Sequence, residues 1–251
     1  MKKLIFLSIV SMAFAVQAFS QAPATTDPFE LQMRVYRSAL KNYDLQAATI
    51  ALYNMQAIKP ERTDLNDSLA LLYFAGERYA QAYLIGEEIV KNDPKRKDML
   101  ELVAVSKQNL GLIKESLDDY QKLYDMDKSM YYLYQMATLQ YQLKRYGECV
   151  ASLDQIIGSP DADKQKVSIH MQGGSQEVAM KAAAYNVKGI CAMEMNQKDA
   201  AKENFSRALQ VDPEFALAKG NLSALEKQET GAKTGGATPA KTTAPAPTKT
   251  H

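Results

Sequence analysis

The 251-residue sequence has few of the side chains that bind metals or form covalent crosslinks. It contains two histidines, two cysteines and no tryptophan. A disulfide-rich scaffold is therefore excluded, and no histidine or cysteine spacing typical of a metal site occurs. Cys149 and Cys191 leave two interpretations open: one disulfide in an oxidising compartment, or two small apolar side chains packed in helices. The second is favoured, because a disulfide also requires matching geometry.

Catalytic motifs and an excess of charge of one sign are also missing. The sequence has no glycine-rich phosphate loop and no nucleophile elbow. The adjacent carboxylates Glu87-Glu88 and Asp118-Asp119 are interpreted as solvated helix faces, because neighbouring helical residues point in different directions. The net charge of +1 argues against nucleic acid as the main partner, since binding phosphates requires a basic excess. We therefore predict a protein without catalytic activity, cofactor or bound metal.

One long apolar stretch is present, and it lies at the amino terminus. Two lysines precede the almost wholly apolar residues 4–16, and small residues follow. This order is typical of a secretory signal peptide, and the alternative, a retained membrane anchor, would need about 20 apolar residues. We predict a signal peptide at 1–20, a mature chain that begins between Val16 and Ala22, and a periplasmic location, with association to the outer membrane left open. Removing the two lysines changes the net charge from +1 to −1, and no further membrane span is expected.

The carboxyl-terminal segment 229–251 lacks large apolar side chains. It consists mostly of Thr, Ala, Pro, Lys and Gly. Such a composition cannot bury enough apolar surface to offset the entropy lost when a chain becomes ordered. We predict that this tail is disordered and dispensable for folding.

Between the two ends, the sequence repeats with a period of 34 residues. Lys59-Pro60 recurs 34 positions later as Asp93-Pro94, and Asp212-Pro213 closes the last helical segment. Repeating units then begin near 29, 63, 97, 130 and 182. The twentieth position of each unit holds a small side chain, as two closely crossing helices require. These residues are Ala48, Ala82, Ser116, Cys149 and Ala201.

This pattern resembles the tetratricopeptide-repeat family, whose unit is a 34-residue helix–turn–helix. The fifth unit carries the resemblance most clearly. Its signature positions hold Tyr185, Gly189, Ala201, Phe205, Ala208 and Pro213. The resemblance implies an all-α solenoid of about five helix–turn–helix units across 29–228. Residues 214–228 continue a helical apolar stripe and are expected to cap the open end of the array.

Residues 158–181 interrupt the repeat. Apolar and polar residues alternate on both sides of two glycines, which predicts a β-hairpin inserted between the fourth and fifth units. A turn at the two glycines pairs Ile169 with Val178. It also pairs Val167 with Met180, so that all four side chains share one face that packs on helices. A loop without regular structure is the alternative.

In the family that the sequence resembles, the first helix of each unit lines a concave groove. The resemblance places positions 2, 5, 9 and 12 of each unit there, and these positions are acidic on one side, then aromatic. The predicted partner-binding residues are Leu71, Phe74, Glu101, Tyr131, Tyr134, Tyr141 and Met193. The partner is expected to dock at the third to fifth units, with Tyr134 and Tyr141, two turns apart on one helix, as anchors. The expected partner is a basic or apolar-aromatic peptide, and Asp98 and Glu101 are expected to steer a basic segment toward the tyrosines.

These observations predict a non-catalytic protein–protein interaction scaffold in the cell envelope of a Gram-negative bacterium. Its partner is expected to be a protein or peptide held in the groove. The alternative is an assembly or secretion factor that docks clients of the outer membrane or of a secretion system. An enzyme or an enzyme's accessory subunit ranks last, because no catalytic constellation occurs. The sequence predicts neither the identity of the partner nor the oligomeric state.

Overall fold

The computed structural model describes residues 27–171 and 174–229. Those residues form eleven α-helices and one two-stranded antiparallel sheet. The helices are α1 (Pro28–Lys41), α2 (Leu45–Ile58), α3 (Leu65–Ala75), α4 (Tyr79–Asn92), α5 (Lys97–Asn109), α6 (Ile113–Asp127), α7 (Met130–Gln142), α8 (Tyr146–Gly158), α9 (Met180–Glu194), α10 (Lys198–Val211) and α11 (Ala216–Glu229). The strands β1 (Lys166–Met171) and β2 (Gly174–Ala179) lie between α8 and α9. The predicted signal peptide and residues 230–251 of the predicted tail lie outside the described residues.

The first ten helices form five consecutive helix–turn–helix units, each packed on the next. One residue in each of the five turns adopts a positive φ, between 57° and 78°. These residues are Tyr43, Glu77, Gly111, Lys144 and Asn196. The recurrence of one turn geometry in every unit confirms the predicted helical solenoid.

Small residues at the helix crossings allow the paired helices to approach closely. All five residues at the twentieth position of a unit are fully buried. Gly189 in α9 shows the same requirement from the facing helix, because a Cβ there would lie 2.5 Å from Cε1 of Phe205 in α10. The backbone of α9 therefore reaches the Phe205 ring only because residue 189 has no side chain.

The inserted hairpin packs its apolar face on the core of the fourth and fifth units. Val167, Ile169, Val178 and Met180 are all buried in one cluster with residues of α7, α8 and α9. The predicted hairpin and its buried face are therefore confirmed. The predicted register is wrong by two residues, since Val167 pairs with Val178 and Ile169 with Gln176. Met180 is the first residue of α9 and not part of the strand.

Gly174 accounts for the difference in register. Gly174 is the first residue of β2, where it pairs with Met171, and its φ is 153°. The glycine therefore belongs to the strand, whereas the prediction had placed it in the turn. Side-chain direction alternates with a period of two along a strand. A shift of two residues therefore leaves the same side chains on the same face, which is why the face could be predicted and the register could not.

Helix α11 covers the end of the array, as the capping helix was expected to do. Its buried side chain Leu225, together with Phe215 just before the helix, packs on the preceding units. Gln176 of β2 holds the start of the helix with two hydrogen bonds. Its amide donates to the carbonyl oxygen of Glu214 at 2.7 Å and accepts from the backbone nitrogen of Ala216 at 3.0 Å. The hairpin thus positions the capping helix.

Candidate functional site

The first helices of successive units lie side by side and form one continuous face. Helix α3 contacts α5, and α7 contacts α9, although a second helix separates each of these pairs in sequence. In arrays of helical repeats, such a face forms an extended concave binding surface. We refer to the surface formed by α3, α5, α7 and α9 as the groove.

The groove is open at the second unit. Leu71 in α3 is 52% exposed. One turn further along the helix, Phe74 is half-buried and packs edge-on against Tyr79, with ring centroids 5.7 Å apart. The equivalent of Leu71 is Val105 in the third unit and Thr138 in the fourth, and these are only 3% and 5% exposed. At this position of the repeat, the exposed apolar side chain is therefore that of the second unit.

Phe74 and Tyr131 connect the second unit to the fourth. Both side chains are partly buried and pack against one core cluster, which contains Val105 of the third unit. The ring of Tyr131 also packs against that of Tyr132, with centroids 5.4 Å apart. Phe74 of the second unit and Tyr131 of the fourth therefore share one apolar cluster, to which the third unit contributes Val105.

Glu101 lies between the third and fourth units, where its carboxylate is half-buried. The Tyr132 hydroxyl donates to its Oε2 at 3.1 Å, and the Tyr131 hydroxyl also interacts with it. Burial raises the pKa of Glu101 above its ordinary value, although both tyrosine hydroxyls act in the opposite direction. Burial and the Glu101 carboxylate raise the pKa of Tyr131 to about 12. We call Leu71, Phe74, Glu101 and Tyr131 the groove patch.

Gln135 of α7 is a feature that sequence reasoning missed. Its side chain is fully buried near the Tyr131 hydroxyl. Neither of its amide atoms makes a well-formed hydrogen bond to the described residues. An unpaired buried polar group of this kind costs about 1–3 kcal/mol. No signal in the sequence distinguishes Gln135 from a glutamine on an exposed helix face.

The acids at the open end of the groove are paired with arginines. Arg96 donates to Asp67 at 2.8 Å and to Asp98 at 2.7 Å. Arg62 pairs with Asp64 at 2.7 Å. These hydrogen bonds lower the pKa of both Asp64 and Asp98. Of the two acids expected to steer a basic peptide, Asp98 is therefore paired with Arg96, whereas Glu101 is bound by tyrosine hydroxyls, and the steering stays a prediction.

Tyr134 is a core residue and not an anchor in the groove. Its side chain is 1% exposed and lies in the cluster that contains Cys149 and Leu153 of α8. Burial raises its pKa well above the ordinary value for tyrosine. The same cluster contains the three consecutive alanines 182–184 of α9. Their short side chains let α9 pack close to α7, so the tyrosine is enclosed, and the predicted anchor role is wrong.

Tyr141 and Met193 make contacts at the fourth and fifth units. The hydroxyls of Tyr141 and Tyr146 donate to the two carboxylate oxygens of Glu194, each at 3.4 Å. Met193 packs instead against a cluster that includes Leu225 of the capping helix. The predicted place of Met193 at the far side of the tyrosine stripe stays a prediction.

The capping helix also closes the groove at the fifth unit. Asn221 of α11 donates to Oδ1 of Asn186 in α9 at 2.9 Å. Asn186 and Ala183, two positions expected to face the groove, are both buried. The part of the groove that a partner can reach is therefore the second to fourth units.

A buried ion network lies between the second and third units, on the side away from the groove patch. The Lys107 ammonium is 2.7 Å from carboxylate oxygens of both Glu87 and Asp119, and Lys122 also pairs with Asp119 at 2.7 Å. The interpretation of Asp119 as a solvated residue is wrong, because its side chain is buried. Asp119 lies three residues after Ser116 and therefore on the same helix face. Since a small residue such as Ser116 marks the buried face, this spacing could have predicted the burial of Asp119.

Two absences concern only residues 27–171 and 174–229. Within these residues, no group of three or more His, Cys, Asp or Glu side chains is placed to hold a metal ion. In the same part of the chain, no helix has both the length and the apolar character that a bilayer span requires.

Comparison with known proteins identifies the repeat. A sequence profile described as tetratricopeptide repeat matches residues 182–215, whereas no curated protein matches the sequence. A tetratricopeptide repeat protein from Parabacteroides merdae has a similar structure, with a TM-score of 0.62, 17% identity, and coverage of 81% of this chain and 74% of that one. The crystal structure of MamA is similar over 75% of this chain and 94% of that chain, with a TM-score of 0.58 and 12% identity. YrrB, described as a TPR protein with an unusual peptide-binding site, is similar over 75% and 89%, with a TM-score of 0.57 and 12% identity.

At these identities, the similarity to solved structures concerns the fold. The fold agrees with the five helix pairs and their common turn geometry, and the fifth pair also matches the repeat in sequence. Such arrays present binding surfaces and are defined by their scaffold, not by a shared chemistry. Residues 182–215 therefore match a tetratricopeptide repeat, and the described residues have the fold of a tetratricopeptide-repeat solenoid, which suits protein–protein interaction.

Proposed function

We propose that this protein is a non-catalytic scaffold that binds a protein or peptide in the groove, through the groove patch on the second to fourth units. The exposure of Leu71 carries the proposal. The equivalent positions of the next two units are buried, whereas Leu71 presents a large apolar side chain to solvent beside Phe74. Burying such a side chain against a partner is favourable by about 1.5–3 kcal/mol.

The chemistry of the groove patch defines the kind of segment that it fits. Leu71 and Phe74 suit an apolar or aromatic side chain of the partner. Glu101 offers a half-buried carboxylate that accepts a hydrogen bond from a backbone amide or a hydroxyl. Arg62 and Arg96 pair with Asp64, Asp67 and Asp98, so a basic segment must compete with arginines of this chain for those acids. The description of YrrB as having a peptide-binding site supports peptide binding as a role for this fold.

The proposed location of this scaffold is the periplasm of a Gram-negative bacterium. Its support is the order of charged, apolar and small residues at the start of the sequence. Mass spectrometry of the protein isolated from its native cells tests this location. The expected mature chain begins between Val16 and Ala22, and a chain that retains Met1 contradicts it.

Site-specific photocrosslinking tests the position of the partner. A photoreactive amino acid replaces Leu71 in one variant and Leu84 in another. Leu84 is the matched control, because it is 57% exposed but belongs to α4, a second helix that does not line the groove. Both variants are irradiated in the native cells, and the crosslinked products are compared by mass spectrometry.

The expected result is one recurrent protein crosslinked from position 71 and absent from position 84. An excess of unlabelled protein should reduce that product. Equal crosslinking from both positions, or products that resist competition, contradicts a partner site at the groove patch.

A further inference from the structure

Two buried thiols meet at the joint between the fourth and fifth units. Cys149 of α8 and Cys191 of α9 are 42 residues apart in sequence, and their Sγ atoms are 3.3 Å apart. Both side chains are fully buried and both are free thiols. The chain between them contains the whole inserted hairpin. The two sulfurs therefore touch across the place where the insertion separates two neighbouring units.

We propose that Cys149 and Cys191 form an intramolecular disulfide that fastens the fourth unit to the fifth. The S–S bond of a disulfide is about 2.05 Å long, so the two sulfurs need to approach by only about 1.3 Å. Helices α8 and α9 already pack against each other. A side-chain movement of this size leaves the packing of the two helices in place.

Comparison with the other units shows that packing alone does not require sulfur at these positions. The position of Cys149 is occupied by alanine or serine in the other four units, for example by Ala201 in the fifth. The position of Cys191 is occupied by serine or leucine, for example by Ser106 in the third unit. The two thiols occur together at positions where each faces the other.

The oxidant for this reaction is a small-molecule or protein disulfide, and glutathione disulfide is a suitable example. The thiolate of one cysteine attacks glutathione disulfide, which forms a mixed disulfide and releases one glutathione thiolate. The other cysteine then attacks the sulfur of the mixed disulfide that belongs to the protein, and the second glutathione leaves. The two protein thiols together lose two protons and two electrons, and glutathione disulfide is reduced to two glutathione thiols.

The bond is expected to form while the chain folds. In the folded protein, the hydrogen bond to Cys191 and burial raise the pKa of the Cys149 thiol. The thiolate is therefore scarce, and an oxidant cannot reach either buried sulfur without local opening. In the unfolded chain both thiols are accessible, and folding then brings these two together.

Refolding in a defined redox buffer tests the proposal. The reduced, unfolded protein is diluted into buffer that contains reduced and oxidised glutathione, and free thiols are then blocked by alkylation. Intact mass and peptide mapping identify the products. The control variants are Cys149→Ala and Cys191→Ser, which place at each position a residue that other units already carry there.

The expected product is a monomer that has lost the mass of two hydrogen atoms and in which the Cys149 and Cys191 peptides are linked. Its melting temperature should exceed that of the reduced protein by roughly 5–10 °C, because a crosslink across so long a loop restricts the unfolded chain. Neither control should show this difference between oxidising and reducing buffer. Free thiols, glutathione adducts or crosslinked dimers as the main products would overturn the proposal, as would a crosslinked monomer that melts no higher than the reduced one.

Discussion

Replacing Tyr134 with alanine should separate the core of the array from its groove. The ring is enclosed in a cluster shared by α7, α8, α9 and the hairpin. The substitution removes these ring contacts and leaves a cavity where the surrounding helices cannot fully collapse. Truncating a buried aromatic side chain in this way costs about 3–5 kcal/mol. We expect Tyr134→Ala to lower the free energy of unfolding by about 3–5 kcal/mol.

Urea unfolding followed by the helical circular dichroism signal measures this change. Leu71→Ala is the control, because its side chain is exposed, and its free energy of unfolding should change by about 0.5 kcal/mol or less. Partner binding should respond in the opposite order. Leu71→Ala should bind the partner more weakly, whereas the Tyr134→Ala molecules that are folded should bind it with unchanged affinity. If Tyr134→Ala unfolds within about 0.5 kcal/mol of the unchanged protein, the enclosed position of this ring is refuted.

Three further substitutions test the packing and the charges. Asp119→Asn should lose about 1–3 kcal/mol, because the buried Lys107 ammonium then keeps only the half-exposed Glu87 as a carboxylate partner. The exposed control Asp118→Asn should lose at most about 0.5 kcal/mol, and urea unfolding measures both. Glu101→Gln should stabilise the fold at neutral pH, because the pKa of Glu101 is raised by burial and folding therefore disfavours the ionised form. That gain should fade as the pH falls toward the ordinary glutamate value of 4.5, which unfolding at several pH values measures. Gly189→Ala should lose about 1–3 kcal/mol through overlap with a facing ring, whereas Gly147→Ala has open space and should lose none, as thermal melts would show.

The helix pairs could be predicted from the sequence because each unit repeats the same packing requirement. A small residue at the crossing, such as Ala48 or Ala201, is needed wherever two helices approach closely. The requirement recurs at a fixed spacing, so one position supports the interpretation of the next. The hairpin could be placed for a similar reason, since its alternation differs from the helical period around it.

The burial of individual groove residues could not be predicted in the same way. Tyr134 occupies a position that faces the groove in the family that the sequence resembles, but its burial depends on the alanines that follow the hairpin in α9. Asp67 is neutralised by Arg96, which lies 29 residues away in sequence. Such contacts depend on how neighbouring units meet, and the repeat pattern does not record that.

For the same reason, the sequence did not predict whether Cys149 and Cys191 are in contact. The sequence places both residues on helices, and the spacing across an insertion does not determine the distance between them. The structure supplies that distance, and with it a chemical interpretation that composition alone disfavoured.

The binding affinity of the captured partner for Leu71→Ala and Leu84→Ala tests the central claim most directly. Both substitutions remove an exposed leucine from the same protein, but only Leu71 belongs to the groove patch. Isothermal titration calorimetry with the purified partner should show a Kd about tenfold or more weaker for Leu71→Ala, which corresponds to a loss of about 1.4 kcal/mol. Leu84→Ala should bind like the unchanged protein. Equal affinities for the two variants would contradict a partner site in the groove.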